Sequence, residues 1–558
     1  MLKLRKPRHV IIAISSCLLI SIIACSRKNN EPVNTQNITA AQKLFGLNFT
    51  RSERDSMVGN LKDNLKAFKK LQSLHLNDSV PPALVYNPIP AGKQFNHKQY
   101  TLHWAEPEHV TVPKDTSKLA FYSISQLAYL LRNRKITSTG LTKLYLNRLE
   151  KYGDTLHCVI TITKDLALKE AKKADREIAA GHYKGPLMGI PFGVKDLMAV
   201  KGYKTTWGAG PYKNQRINTT ATVVKRLQDK GAVLIAKLTS GALAMGDVWY
   251  GGKTRNPWDL KQGSSGSSAG PASATSAGLV AFSLGTETWG SILAPSTRCG
   301  DTGLRPTFGR VSKYGVMALS WSMDKVGPIC RDVQDCAIVF NAIHGPDGKD
   351  RSVVDLPFNF NVHEKLSNIR IGYLSDLFNK KDDPNYIHDE QTLATLKSLG
   401  ANLIPITLPD FPVRPLSIIL DAESAAAFQN LSLSNRDSLL VRQGKNAWPN
   451  LFREANFIPA VEYIQANRAR TLLINKMDSV MKKIDVYVSP TFGGNNLLLT
   501  NLTGHPAVVV PNGFTKKKHP TSISFIGGLY KEGKALEVAK AFQDATNYYK
   551  KHPKMFMN

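Results

Sequence analysis

Between Asn256 and Ser312 the chain reads NPWDLKQGSSGSSAGPASATSAGLVAFSLGTETWGSILAPSTRCGDTGLRPTFGRVS, with Ser, Gly, Ala and Thr at the density of a flexible linker. A linker has nothing to bury, and this stretch carries Trp258, Leu279, Phe282, Trp289, Ile292, Leu304 and Phe308. It therefore belongs in a packed core, where small residues let backbones approach closely and leave main-chain N–H groups open to a ligand. Serines set among such glycines are candidate nucleophiles and proton carriers.

Upstream, Gly189-Ile190-Pro191-Phe192-Gly193-Val194-Lys195-Asp196 holds an apolar, Gly/Pro-bounded run of strand character that ends on a lysine. Alone, Lys195 reads as a solvated surface residue. The end of a buried strand is not a solvated surface, which argues against that reading. Asn256 to Asp259, Ser265-Gly266-Ser267-Ser268-Ala269-Gly270, Gly285-Thr286-Glu287-Thr288-Trp289-Gly290-Ser291-Ile292, Cys299-Gly300 and Gly303 to Ser312 follow in order. Together these blocks resemble the pattern of the amidase signature family: GxPxxxKD, then NPWD, GGSSGG, GTDTGGSI, CG and GLKPTxGRVS. The family's interval from relay serine to nucleophile is the 24 residues between Ser267 and Ser291, not the 27 between Ser264 and Ser291. The resemblance implies an α/β fold, a large mixed β-sheet core surrounded by helices, and hydrolysis of a carboxamide C–N bond in a small-molecule or peptide amide. It also implies Lys195, Ser267 and Ser291 as catalytic residues, with a cis peptide before Ser267 and an acyl-enzyme on Ser291. The backbone N–H groups of Thr288, Trp289, Gly290 and Ser291 are implied as the oxyanion hole. No cofactor is implied and no metal, and no residue spacing here suggests zinc.

Those residue types suit the chemistry. A serine hydroxyl needs a base, and the serine-rich block offers no well-placed His and no His-Asp pairing. Lysine must drop from near 10.4 by about 3 units, about 4 kcal/mol, to act as a base near neutrality. Burial among hydroxyl partners supplies such a shift. In the implied relay Lys195 takes a proton from Ser267, Ser267 takes one from Ser291, and Ser291 attacks the carbonyl. The proton then returns through Ser267 to the leaving nitrogen, which an amide requires. Trp289 stands for the first Gly of the family's GGS, Ser265 and Ala269 for a Gly in each pair of GGSSGG, and Leu293 for a frequent Arg. None removes a catalytic atom, so these departures bear on substrate identity.

Other readings compete. Gly266-Ser267-Ser268-Ala269-Gly270 matches GxSxG, which in an esterase of the α/β-hydrolase type makes Ser268 the nucleophile, but NPWDLKQ rather than an apolar strand precedes it. Gly251-Gly252-Lys253-Thr254 lacks the first glycine of a phosphate loop, Asp247 holding that position. A glutaminase component of an amidotransferase acting on misacylated tRNA shares the signature, and a catalytically dead binding protein shares the fold. The leader described next argues against the first, and the complete set Lys195, Ser267 and Ser291 against the second. His505, before Pro506 in an apolar run, reads as structural.

Lys3, Arg5, Lys6 and Arg8 precede an apolar run from Val10 to Ala24, a secretory pattern too short for a comfortable membrane span. Ile22-Ile23-Ala24-Cys25 resembles a bacterial lipobox. Residues 1–24 are therefore expected to be a lipoprotein signal peptide, Cys25 the lipidated residue and residues 25–39 a polar tether, which implies an exported protein anchored at a membrane of the cell envelope. The formal net charge is +30, of which the leader holds four cations and no acid. The other basic residues are scattered, Lys516-Lys517-Lys518 being a short cluster, and no nucleic-acid motif accompanies them. A solvated basic surface near anionic lipid is the simpler account than a nucleic-acid partner. Of six cysteines, Cys17 falls in the leader and Cys25 at its end. Cys299 is expected as a buried thiol, and export permits a Cys330–Cys336 disulfide without requiring one. Nothing in the sequence bears on oligomeric state.

Residues 40–118 read as a helical and irregular N-terminal extension. Thr50-Arg51-Ser52-Glu53 is a capping box, and Met57, Leu61, Leu65, Phe68 and Leu71 form a helical stripe expected to pack. The Pro-rich stretch from Leu84 to Val112 is expected to wrap the catalytic domain. An amidase domain is expected over 119–548, where a helix over Leu166 to Gly181 alternates with strands such as Ala232 to Ala236, Leu403 to Ile406 and Ala507 to Val510. Within it, 376–485 is expected to be the variable, substrate-covering region, with most of its aromatics, Phe428, Trp448, Phe452, Phe457 and Tyr463, in the core.

Overall fold

The computed structural model describes residues 31–557, so the leader and Cys25 lie outside the described residues. Two compact units divide it, one ending at Asn77 and the other running from Asp78.

In the first unit, helix α1 (Thr35–Leu44) packs on helix α2 (Arg51–Gln72). Asn34 caps α1, its Oδ1 accepting from Asn37 N at 2.8 Å. The segment expected to be a polar tether, 25–39, is thus helical from Thr35: its polar Thr-Gln-Asn run is a first turn leading into Ile38, Ala40, Ala41 and Leu44. The capping box opens α2, with Thr50 N donating to Glu53 Oε2 at 2.6 Å and Glu53 N to Thr50 Oγ1 at 3.3 Å. No residue of α2 is fully buried: Met57, Leu61 and Leu65 of its apolar stripe are half-buried, whereas Phe68 and Leu71 are exposed.

The second unit is built on eleven strands: β1 (Val159–Ile162), β2 (Pro191–Lys195), β3 (Val233–Leu238), β4 (Phe282–Glu287), β5 (Thr302–Arg305), β6 (Lys325–Cys330), β7 (Ile371–Leu374), β8 (Leu403–Ile406), β9 (Val486–Pro490), β10 (Ala507–Phe514) and β11 (Pro520–Gly527). They form one mixed sheet in the order β1-β3-β2-β4-β6-β5-β10-β11-β9-β7-β8. β3, β2 and β4 run parallel, as do β9, β7 and β8, while the strands between β4 and β9 pair antiparallel. β2, β3, β4 and β6 are buried along their whole length, as strands of a sheet covered on both faces must be. Apolar runs such as Val233–Ala236 of β3 are a sequence correlate of that burial, whereas β4 buries Ser283, Thr286 and Glu287 as well.

Residues 78–118 belong to this unit rather than to a separate N-terminal extension. Tyr86 Oη donates to the Leu502 carbonyl at 2.8 Å. His103 exchanges backbone bonds with Phe360 and Val362, each 3.1 Å, and the Gln334 amide brackets Ala105 at 2.7 and 3.0 Å. A Pro-rich segment cannot satisfy its backbone in a helix, so it does so against the sheet-bearing body. In 376–485, Trp448 and Phe452 stack with ring centroids 5.0 Å apart, and Phe428 stacks on Phe452 at 5.4 Å. Tyr463 donates to Glu423 Oε1 at 2.9 Å, whereas Phe457 is exposed. Cys158, Cys299, Cys330 and Cys336 are free, buried thiols, so no disulfide joins Cys330 to Cys336. Among the described residues no helix is long and apolar enough to cross a membrane.

Candidate active site

β2 and β4 are parallel neighbours, Phe192 lying opposite Phe282 and Val194 opposite Leu284. Their carboxyl ends therefore open at one edge of the sheet, where α/β proteins hold ligands. Lys195 is the last residue of β2 and is fully buried. Its Nζ lies 2.8 Å from Ser267 Oγ and 2.8 Å from Thr286 Oγ1 of β4. Burial holds its pKa well below the usual lysine value, opposed in part by the charges of Asp324 and Glu287. The shift is toward the neutral amine, the form a base requires.

Ser267 is 1 % exposed and follows a cis Gly266–Ser267 peptide, two residues before helix α3 (Ala269–Ser276). Gly266 is required by close approach, since a Cβ there would sit 2.0 Å from the Gly246 carbonyl oxygen. The neighbouring serines are otherwise engaged. Ser264 Oγ donates to the Ser265 carbonyl at 2.9 Å. Ser268 Oγ donates to Thr286 O at 3.0 Å and accepts from Thr286 N at 3.1 Å. Ser265 adopts the left-handed conformation, φ 61°, that the glycine it replaces would take freely.

Ser291 is partly exposed and stands two residues before helix α4 (Leu293–Cys299). Its carbonyl accepts from Ser268 N at 3.1 Å, which ties the two serine segments together. Among the described residues its Oγ makes no hydrogen bond, and neither do the N–H groups of Trp289, Gly290 and Ser291. Unspent donors in succession beside a hydroxyl can receive a developing oxyanion. The next two N–H groups, of Ile292 and Leu293, donate to Glu287 Oε2 at 2.9 and 3.0 Å. Gly290 has φ +90°, and a Cβ there would meet Leu497 Cδ2 at 2.9 Å. Trp289 stays outside the left-handed region. The tryptophan thus replaces a glycine where any residue fits, and the retained glycine sits where one is needed. The Arg414 guanidinium lies over the Trp289 ring, 5.1 Å from its centroid.

Sequence reasoning overlooked the groups that brace this turn. Glu287 is fully buried, its Oε1 2.9 Å from both Arg305 Nη1 and Asn501 Nδ2. Burial pushes its pKa up, but Arg305, Asn501 and the two N–H groups outweigh that and hold the carboxyl below the usual glutamate range. Asp324 accepts from Thr288 Oγ1 at 2.5 Å and from the N–H groups of Leu319 and Ser320 at 2.7 and 3.0 Å. Glu287 and Arg305 each lie inside a signature block, the one signal that could have singled them out. His505 is buried, with Nδ1 2.8 Å from Thr503 Oγ1, and its carbonyl accepts from Arg305 Nε and Nη2. Burial pushes its pKa down to about 3, so it serves as a neutral structural residue.

The mixed sheet and the motifs joined at its edge define an α/β protein of the amide-hydrolysing class. A family model described as Amidase matches residues 140–500. The chain belongs to the amidase signature family. It is similar to the glutamyl-tRNA(Gln) amidotransferase A-subunit of Prochlorococcus marinus, 31% identical over 481 residues that cover 77% of this chain and 99% of that protein. The native peptide amidase from Stenotrophomonas maltophilia superimposes with a TM-score of 0.69 at 29% identity, covering 77% of this chain and 98% of that one. The structure of the corresponding amidotransferase A-subunit from Thermotoga maritima gives a TM-score of 0.63 at 25% identity, over 76% and 95% of the two chains.

Proposed function

We propose that this protein cleaves the C–N bond of a small-molecule or peptide amide through a Ser-cisSer-Lys relay. The observation that carries the reading is the 2.8 Å contact between Lys195 Nζ and Ser267 Oγ in a dry site at the strand end. Lys195, held neutral by burial, takes the Ser267 proton as Ser267 takes that of Ser291. Ser291 Oγ, partly exposed and free of internal hydrogen bonds, attacks the carbonyl. The N–H groups of Trp289, Gly290 and Ser291, with Thr288 beside them, receive the oxyanion, each donor contributing about 10²–10³ in rate. Proton return through Ser267 expels the amine, and water releases the acyl group from Ser291.

The wider placement belongs to the same reading: a signal peptide over 1–24, a lipid on Cys25, and catalysis at a membrane of the cell envelope. A second reading, a glutaminase working with partner proteins, draws support from the likeness to the amidotransferase A-subunits. Assay of the purified protein against primary carboxamides, peptide amides, acyl amides and matched esters tests the choice. Turnover of small amides by the chain alone, lost in Ser291→Ala, is the expected result. Ammonia release from glutamine only in the presence of a further protein favours the second reading, and acylation of Ser268 by an active-site serine probe overturns both.

A further inference from the structure

Helix α2 spans 22 residues, and Met57, Leu61, Leu65, Phe68 and Leu71 recur along it at the spacing of one helical face. A stripe of this kind ordinarily buries itself. Here no α2 residue is fully buried: Met57, Leu61 and Leu65 are half-buried, while Phe68 and Leu71 are 56% and 63% exposed. The chain just beyond continues the pattern with exposed Leu74 and Leu76, and the turn before the helix adds exposed Leu44, Phe45 and Leu47.

Toward the carboxyl end of this stripe the charge is of one sign. Lys62 and Lys69 flank it, and Lys66 and Lys70 lie on the polar side. Lys62 pairs with Glu31 and Lys66 with Asp63, but Lys69 and Lys70 make no ion pair among the described residues. From Asn64 to Asn77 there is no acidic residue. A second copy of this unit would set lysine against lysine, whereas an anionic lipid surface offers phosphates to the lysines and an acyl boundary to Phe68 and Leu71.

We propose that the apolar face of α2, with its lysines, docks on an anionic phospholipid surface. The proposal rests on the lipid-anchor reading only for proximity: with Cys25 acylated, α1 begins ten residues from the lipid, at most about 35 Å of extended chain. The helix then acts as a second, reversible attachment beside the covalent one. Burial of Phe68 and Leu71 supplies the apolar part of that attachment.

The test uses the chain from residue 25 with Cys25→Ser, which carries neither leader nor lipid but holds every described residue. Flotation with phosphatidylglycerol-containing vesicles should show binding that weakens at high salt, and phosphatidylcholine vesicles should bind far less. Phe68→Ser with Leu71→Ser should lower vesicle affinity at least about tenfold, with helix content and amidase activity unchanged. Lys69→Glu with Lys70→Glu should remove the salt-sensitive part without touching the apolar stripe. Failure to bind anionic vesicles, equal binding after the stripe substitutions, or a concentration-dependent dimer that those substitutions dissolve overturns the proposal. The anchor is read separately: native protein found on membranes while the Cys25→Ser chain ignores vesicles keeps the anchor and rejects the helix. Stripe-dependent binding by the Cys25→Ser chain keeps the helix even if native Cys25 carries no lipid.

Discussion

Lys195 derives its chemistry from burial and from two hydroxyl partners, so its protonation state should govern the pH profile. Its folded pKa is depressed, which means the neutral amine is present above that pKa and is lost as pH falls through it. Amide hydrolysis should therefore decline on the acid side, and Lys195→Ala should lower kcat by about 10²–10⁴-fold, hurting amides more than activated esters. The same depression costs stability at any pH where the unfolded chain's lysine is charged and the folded one is not. Lys195→Met should consequently raise Tm at neutral pH while abolishing turnover, a trade that calorimetry and a paired assay can check. Among the serines, Ser291→Ala should be inactive, while Ser268→Ala, whose hydroxyl only bonds the Thr286 backbone, should remain folded and at least partly active. An acyl adduct mapped to Ser268 by mass spectrometry would contradict this.

At the scale of elements, the turn between β4 and α4 is held by the carboxylates of Glu287 and Asp324. Glu287 joins the end of β4 to the first N–H groups of α4, to Arg305 of β5 and to Asn501. Glu287→Gln keeps the shape but leaves Arg305 charged and buried, at a cost of about 3–5 kcal/mol, to be read from denaturant midpoints. The turn itself can be probed at Gly290. Alanine there must accept φ +90° and press on Leu497, so Gly290→Ala should cost about 1–3 kcal/mol and reduce kcat by moving the N–H groups beside Ser291. Trp289→Gly meets no backbone strain, the position lying outside the left-handed region, but should cost about 1–3 kcal/mol by removing a half-buried ring packed on the core, and should alter substrate preference because the ring under Arg414 is gone.

For the molecule as a whole, the proposed lipid on Cys25 would confine catalysis to a surface. Changing Cys25 to Ser should move processed protein from the membrane fraction toward the soluble one, with any residual association salt-sensitive. An unmodified Cys25, or an N-terminus elsewhere, found on the native protein by mass spectrometry would remove the anchor and leave the hydrolase reading intact. The boundary at 77/78 bears on this picture, since the Pro-rich residues 78–118 are bonded into the sheet-bearing unit and are not free to act as a spacer.

The order of amino acids alone determined the α/β class, the lysine at a strand end and the serine-rich turns beyond it. Apolar runs, glycine placement and capping boxes such as Thr50–Glu53 are properties of neighbouring residues, so they are readable without a fold. Spacing within the signature likewise singled out Ser267 and Ser291. The tether departs from expectation because polarity is not disorder when a cap such as Asn34 precedes it, and the bonds of the Pro-rich strap are visible only in space. Thr286 as the second partner of Lys195, Glu287 bonded to Asn501 across 214 residues, and the exposure of Phe68 and Leu71 on α2 were decided by tertiary structure alone. Each depends on what distant chain segments bring, or fail to bring, against a side chain, and no local pattern carries that information.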